Sequence, residues 1–289
     1  AVDGAIRRVS LAAFLLNRNA EGAAHTGLDS FADISVSARR ERPGSEPALG
    51  FDIALEAGHL YADGIAAELR SSGIQASYNF DKGSIELSSN GVGVGRSHFP
   101  VTGGLIDLDR VSDRGQKGFA VDLLLTDAVI NPVDTDEGAI RFGAKVNGYY
   151  LPHSRELLFE ELAVSSEKGA FAGSLAMRFG DAAPEVSFVM IADRLQSAAV
   201  KQFWPYWLAK NTRGWVTKNI FGGTVANGRI ELFLPADRQR KEGEPLELGP
   251  DELKIDFEME GARVNSAGEI PPLRDTSGRL RLRGARTEI

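Results

Sequence analysis

Alternation of apolar and polar residues, position by position, recurs along most of the chain and constrains its fold more than any other feature. The clearest run extends from Leu253 to Glu260, where every second residue is apolar and every residue between is charged. Similar runs begin at Phe51, Gly173 and Ile230. Because successive side chains of a strand point to opposite faces, this period of two predicts strands with one apolar and one polar face.

Short clusters of turn-forming residues separate these runs, as at Asp81-Lys82-Gly83, Ser89-Asn90-Gly91 and Lys168-Gly169. Turns at this density favour an antiparallel meander. The pair Asn227-Gly228 suits the two-residue turn of a hairpin. The chain has 289 residues, 43% of them hydrophobic, which is enough for a large core. We therefore expect an elongated, mainly antiparallel β architecture.

A weak internal repeat follows Tyr78 and Tyr150. The residues at shared spacing after the first are Ile85, Leu87, Val92 and Phe99, and those after the second are Leu157, Phe159, Val164 and Phe171. One supersecondary unit used twice would produce this spacing, and chance similarity between strands is the alternative. We treat 1–289 as one continuous β-rich segment, with tentative sub-blocks 1–145, 146–195, 196–222 and 223–289.

The stretch from Ser197 to Ile220 departs from the strand pattern and predicts a short helical insert. Its apolar residues recur at steps of three and four, and they are Ala199, Val200, Phe203, Trp204, Trp207, Leu208, Trp215, Val216 and Ile220. Pro205 is expected to open or kink a helix and Gly222-Gly223 to end it. The insert either plugs the end of a sheet core or caps an apolar groove or membrane interface, and both roles are compatible.

No motif for catalysis emerges from the residues. The chain has no cysteine, which excludes disulfides and thiolate chemistry, and it has no G-x-S-x-G elbow. The four histidines, His25, His59, His98 and His153, are scattered. Gly91–Gly95 resembles a phosphate loop but leads back into a strand pattern instead of a helix. We predict no catalytic residue and no cofactor.

Charged residues are interspersed, with 33 Lys and Arg against 40 Asp and Glu, which argues against nucleic acid as a partner. Asp134, Asp136 and Glu137 could suit calcium, but the spacing of an EF-hand is absent, so an acidic turn is favoured and no metal site is predicted. The pair Asp107 and Asp109 predicts a solvated strand face.

The C-terminal run Arg279, Arg281 and Arg283 alternates with leucines and also predicts a polar strand face, with anionic lipid or nucleic acid as the alternative ligand. Val9–Leu16 is the longest apolar run and is far shorter than the roughly 18 residues of a membrane span. We expect the chain to be part of a longer protein whose membrane anchor or export signal lies elsewhere.

Two stretches resemble the YhdP-like branch of the AsmA-like superfamily, which comprises TamB-related, bridge-like bacterial lipid transport proteins. The first contains Phe203-Trp204-Pro205-Tyr206, Trp207-Leu208-Ala209, Thr212-Arg213, Trp215-Val216, Asn219-Ile220, Gly222-Gly223 and the strand Gly228–Leu232. The second contains Ile270–Leu273 and Ser277–Leu282. Together they cover about a third of the chain.

This resemblance implies a periplasmic β-sheet curled into a groove, in a protein anchored at the inner membrane, that moves phospholipids towards the outer membrane and maintains its barrier. The implied partners are a phospholipid or other acyl-chain ligand and the remainder of the longer chain. An acyl chain needs a continuous apolar track, because each CH₂ left in water costs about 0.8 kcal/mol.

The expected groove lining consists of alternating apolar residues, for each of which packing in a closed core is the alternative: Leu175, Met177, Phe179, Ile230, Leu232, Leu234, Leu253, Ile255, Phe257 and Met259. Two other functions remain open. The chain could be a scaffold that assembles cell-envelope proteins without holding lipid. It could also bind or cleave glycans, which requires carboxylates about 5 to 10 Å apart in a cleft with exposed aromatic side chains.

Overall fold

The computed structural model describes residues 2–40, 44, 48–62, 64–111, 117–180, 184–205, 210–236, 248–265, 271–284 and 286–288. The elements of the N-terminal half are β1 (Val2–Ser10), α1 (Ala12–Leu15), β2 (Leu16–Arg18), β3 (Ala24–Asp29), β4 (Phe31–Arg39), β5 (Ala48–Leu55), β6 (Gly58–Ala62), β7 (Ile65–Arg70), β8 (Ser72–Asn79), β9 (Ser84–Val94), β10 (Ser97–Asp107), α2 (Leu108–Val111) and β11 (Phe119–Ile130). Those of the C-terminal half are β12 (Ile140–Leu151), β13 (Glu156–Ser166), β14 (Gly169–Arg178), β15 (Glu185–Gln196), α3 (Ser197–Phe203), α4 (Lys210–Asn219), β16 (Ile220–Phe221), β17 (Thr224–Leu234), β18 (Leu253–Val264), β19 (Leu273–Arg283) and β20 (Arg286–Glu288).

Fifteen of these strands form one large antiparallel sheet. Its order is β1-β4-β5-β8-β9-β10-β11-β12-β13-β14-β15-β17-β18-β19-β20. From β8 to β15 each strand pairs with the next one along the chain, which is the predicted meander. In the described part of the chain, the edge strands β1 and β20 do not pair with each other, so the sheet is open. The structure confirms a mainly antiparallel, curled β-sheet with few short helices.

Several N-terminal strands bend instead of ending. Ser30 alone separates β3 from β4, and its hydroxyl donates a hydrogen bond to the carbonyl of Glu56 at 2.7 Å, where β5 gives way to β6. Beyond these bends, β2, β3, β6 and β7 form a small arm of the sheet. The arm rejoins the main sheet where Leu69 pairs with Val94 of β9.

The internal repeat corresponds to equal register in two three-strand units, β8–β10 and β12–β14. The equivalent cross-strand partners are Tyr78 with Ile85 and Tyr150 with Leu157, followed by Val92 with Phe99 and Val164 with Phe171. The tentative sub-block boundary after residue 145 lies inside β12, and the sheet continues across it.

One turn prediction and one strand prediction are wrong. Asn227-Gly228 lies inside β17, and Asn227 has a φ of 51°, which bends the strand at a register shift between Ala226 and Arg229. The positive φ therefore serves a β-bulge and not a hairpin turn. Asp109 lies in the one-turn helix α2 and not on a strand face. Its backbone N–H donates to the carboxylate of Asp107 at 3.0 Å, a local bond that competes with strand pairing.

The helical insert of 197–220 is present as two helices, α3 and α4. Pro205 was expected to open or kink a helix, but it lies just beyond the end of α3, because its missing N–H and its effect on the preceding residue favour a helix end there. The helix α4 ends at Asn219, and the short strand β16 precedes Gly222-Gly223, so these glycines form the turn into β17 and do not end the helix. Both have positive φ, 62° and 75°.

Candidate functional site

One face of the main sheet is apolar across fourteen consecutive strands. Its central row, in which each residue pairs with the next across the sheet, is Gly4, Val36, Phe51, Ala76, Leu87, Gly103, Leu123, Val146, Leu162, Gly173, Met190, Ile230, Ile255 and Leu282. No member of this row is polar. We call the surface that these residues share the apolar face. At about 4.8 Å between strands, the row is roughly 60 Å long.

A second row runs beside the first on the same face. It contains Ala38, Leu49, Tyr78, Ile85, Leu105, Val121, Gly148, Phe159, Leu175, Phe188, Leu232 and Leu253. Its one polar group, the hydroxyl of Tyr78, donates to the carboxylate of Asp107 at 3.2 Å. Desolvation of the phenol and this hydrogen bond raise the pKa of Tyr78, so the group stays neutral.

The apolar face is half-buried and not enclosed. No residue of the central row is fully buried, although large side chains such as Phe51, Leu123 and Met190 occupy it. Neighbours on the same face account for this partial burial, because no second sheet of described residues packs over it. The arrangement therefore differs from a sandwich, in which two inner faces cover each other.

The opposite face of the sheet is mainly polar. The matching row there is Ser35, Asp52, Gln75, Ser88, Thr102, Leu124, Lys145, Ala163, Ala172, Ile191, Arg229, Asp256 and Arg281. The predicted polar face of the C-terminal arginines is confirmed, since Arg283 binds Asp256 at 2.6 Å. Hydrogen bonds from Lys145 and Asn147 lower the pKa of Glu161 on this face.

Helix α3 covers one end of the apolar face. A small buried core joins Ala199 of this helix to Ile140, Ala192 and Leu195 of the sheet, and Phe203 packs against it. Leu195 belongs to a row that contains Phe142, Ser166, Gly169, Leu195, Val225 and Met259. The covered end therefore lies at the strand ends nearest the insert. The interpretation of the insert as a plug at one end of the sheet is consistent with this packing.

Buried cations attach the insert to the loop between β11 and β12. The guanidinium of Arg213 is 1% exposed and forms two 2.8 Å hydrogen bonds with the carboxylate of Asp134. The ammonium of Lys201, also buried, binds Glu137 at 2.7 Å and lies 4.7 Å from the ring centre of Phe221. A buried charge is stable only when it is paired, so these carboxylates allow the insert to dock.

The acidic turn predicted at 134–137 is confirmed, and its carboxylates bind side chains of the insert. In the part of the chain that the structure describes, no group of three or more His, Asp and Glu side chains could hold a metal ion. The sequence reasoning missed the pairing of this turn with Lys201 and Arg213. The signal was available only as unmatched charges, because the turn is acidic and the insert contains basic residues but no Asp or Glu.

Nine of the ten predicted lining residues lie on the apolar face. Ile230 and Ile255 are in the central row, Leu175, Leu232 and Leu253 in the second row, and Met177, Leu234 and Phe257 beside them. Met259 lies at the covered end, opposite Val225. Phe179 follows the last residue of β14 and is 40% exposed, so it lies beyond the strand. We call this the uncovered end, meaning the end of the apolar face that α3 does not reach in the described residues.

The residues of the family-like motif have several different environments. Arg213 forms the buried ion pair, Trp204 is half-buried, Pro205 is exposed, and Trp215 is 52% exposed. Trp207 lies outside the described residues. Gly222 contributes a carbonyl that accepts the hydroxyl proton of Ser197 at 2.5 Å, which connects the start and the end of the insert.

A concavity of about 320 Å³ lies on the polar face between β1, β4, β5 and β8. Its lining includes two carboxylates, Asp33 and Asp52, together with Ser35 and Gln75. Among the described residues that line it, none is aromatic. The concavity therefore lacks the stacking surface that the glycan hypothesis expects beside paired carboxylates.

The fold and this face define a class of protein: an open antiparallel β-sheet with one continuous apolar face, covered at one end by a helical insert. Comparison of the chain with family models, with curated proteins and with solved structures found no match. No helix in the described part of the chain combines the length and the apolar character needed to cross a membrane.

Proposed function

We propose that this chain is a non-enzymatic, periplasmic segment of an AsmA-like lipid transport protein. Its apolar face would hold the acyl chains of phospholipids as they move between the inner and outer membranes, which supports the barrier of the outer membrane. The remainder of a longer chain would supply the inner-membrane anchor.

The unbroken central row of the apolar face is the observation that carries this proposal. A mobile acyl chain must remain in contact with apolar surface at every step, because each CH₂ exposed to water costs about 0.8 kcal/mol. Fourteen strands contribute to the row without a polar interruption, and its side chains are half-buried. A polar headgroup needs no such track and can remain in solvent at the uncovered end.

The scaffold hypothesis predicts a different use of the same surface. A scaffold would cover the apolar face with another protein, and lipid would not reach it. Site-specific crosslinking distinguishes the scaffold hypothesis from lipid transport. A photoreactive amino acid replaces Ile255 on the apolar face and, as a matched control, Ile191 on the polar face, where the side chain is 51% exposed.

We expect crosslinks to phospholipid at position 255 and none at position 191, after irradiation of cells grown with radiolabelled phosphate. Crosslinks to protein alone at position 255 would favour the scaffold. Equal labelling of both positions by lipid would indicate non-specific contact with membranes and would contradict the proposal.

A further inference from the structure

Four phenylalanines meet at the covered end of the apolar face. Phe203 of α3 lies between Phe142 of β12 and Phe171 of β14, with ring centres 5.2 and 5.1 Å away. Phe99 of β10 lies 6.3 Å from Phe142. All three contacts are edge-to-face, the arrangement that aromatic rings prefer. We call these four residues the aromatic wall.

Contacts with the buried core and with the β11–β12 loop fix the position of the aromatic wall. Phe203 packs on the buried core around Ala199, and Phe142 is only 8% exposed. The neighbouring residues of α3 are fixed by polar contacts, since Lys201 binds Glu137 and Gln202 donates to two backbone carbonyls of the β11–β12 loop at 2.8 Å. The position of the Phe203 ring is therefore set by both apolar and polar contacts.

The apolar face continues along the strand direction from the aromatic wall to the uncovered end. Small residues, Ala144 and Gly173, lie two positions from Phe142 and Phe171. From Phe171 to Met177 at the uncovered end, the strand rises about 20 Å at 3.4 Å per residue. The hydrocarbon of one membrane leaflet is about 15 Å thick, half of a 30 Å core. One acyl chain thus fits between the uncovered end and the wall.

We infer that the aromatic wall sets the longest acyl chain that the apolar face accepts, with Phe203 as the specificity-determining residue. This inference rests on the proposed function. An acyl chain that enters from the uncovered end stops against the ring of Phe203. Any CH₂ group beyond that length stays in water. It therefore does not add the roughly fourfold increase in affinity that a buried CH₂ group would add.

Binding of single-chain lipids of graded length to the full chain tests this inference. The probes are lauroyl, myristoyl, palmitoyl and stearoyl lysophosphatidylcholine, titrated by calorimetry. Phe203→Ala should raise the affinity for the stearoyl over the palmitoyl probe by up to about fifteenfold, for two additional CH₂ groups. Phe203→Trp should shift the preference towards the shorter probes. Phe233→Ala, the same truncation on the polar face, where the side chain is 45% exposed, should leave the preference unchanged.

The outcomes separate this inference from the proposed function. If no probe binds the unaltered chain, the proposed function fails. If the probes bind but the length preference is the same in Phe203→Ala, Phe203→Trp and the unaltered chain, the aromatic wall does not gauge length. A shift of the length preference in the same direction in Phe203→Ala and Phe203→Trp would also overturn the inference. Circular dichroism checks folding, and Phe203→Leu replaces the alanine variant if that variant unfolds.

Discussion

Ile255 is the thirteenth of the fourteen residues in the central row of the apolar face, between Ile230 of β17 and Leu282 of β19. Its side chain is half-buried, with no second layer of described residues over it. We predict that Ile255→Asp leaves the chain folded but strongly weakens the binding of acyl chains. The new carboxylate reaches water when no lipid is bound, whereas a bound acyl chain would cover it.

The expected loss of folding stability is much smaller than the expected loss of lipid-binding free energy. Without lipid, the substitution removes the partial burial of one isoleucine, which is about 1 kcal/mol. In a chain of this size, such a loss lowers Tm by about 2 to 4 °C. With lipid, the covered carboxyl group loses hydration without gaining a partner, which costs at least the range of about 1 to 3 kcal/mol that applies to a neutral polar group. The lost apolar contact adds about 1 kcal/mol, so the affinity should fall by about a hundredfold or more.

The assay is a titration with palmitoyl lysophosphatidylcholine, accompanied by thermal unfolding. Ile191→Asp is the matched control, because it makes the same chemical change on the polar face, at a side chain that is 51% exposed. It should keep both affinity and stability. Global unfolding of Ile255→Asp under all conditions would refute the reasoning, since only a closed core would penalise the carboxylate before lipid binds. Equal affinity in the two variants would also refute it.

Five further substitutions test the buried ion pair, the strand packing and a surface carboxylate. Asp134→Ala should lower the free energy of unfolding by about 3 kcal/mol or more, because it leaves the buried Arg213 unpaired. Arg213→Met should lower it by only about 1 kcal/mol, since the Asp134 carboxylate is 38% exposed. Urea unfolding followed by tryptophan fluorescence measures both values, and equal values would contradict this difference. Gly173→Ala would put a Cβ 2.2 Å from a backbone oxygen of β15 and should destabilise the sheet by more than about 2 kcal/mol. Gly278→Ala meets nothing within 4 Å and should be nearly neutral in the same measurement. The lowered pKa of Glu161 contributes stability that is present above the ordinary pKa of 4.5 and is lost as the pH falls through the pKa of the folded state. Glu161→Gln should therefore flatten the pH dependence of the free energy of unfolding in this acidic range. An unchanged pH profile would argue against the hydrogen bonds from Lys145 and Asn147 to Glu161.

The β-strands and the identity of their apolar faces followed from local patterns. The period of two at Leu253–Glu260 places every charge on one side of β18, whichever partners the strand acquires. The steps of three and four in the insert likewise predicted α3 and α4. Two errors, at Asn227-Gly228 and at Asp109, arose where one residue type suits two local structures, a turn or a bulge, a strand or a helical turn.

The docking of the insert could not be predicted from the residues alone. Asp134 and Arg213 are 79 residues apart, and nothing in either local pattern specifies the other. The same holds for the aromatic wall, in which Phe99, Phe142, Phe171 and Phe203 come from four elements. Such contacts depend on which strand ends the chain brings together.

The amino-acid sequence by itself determined that this protein is a β-sheet with one apolar and one polar face, because alternation is a property of each strand alone. It left open whether the apolar face is a closed core or an uncovered surface, since both use the same alternation. Only the tertiary structure decided this, through the order of the strands and the placement of α3. In the described chain, the sheet remains open, α3 covers one end of the apolar face, and the rest stays half-exposed, because no second sheet of described residues packs over it.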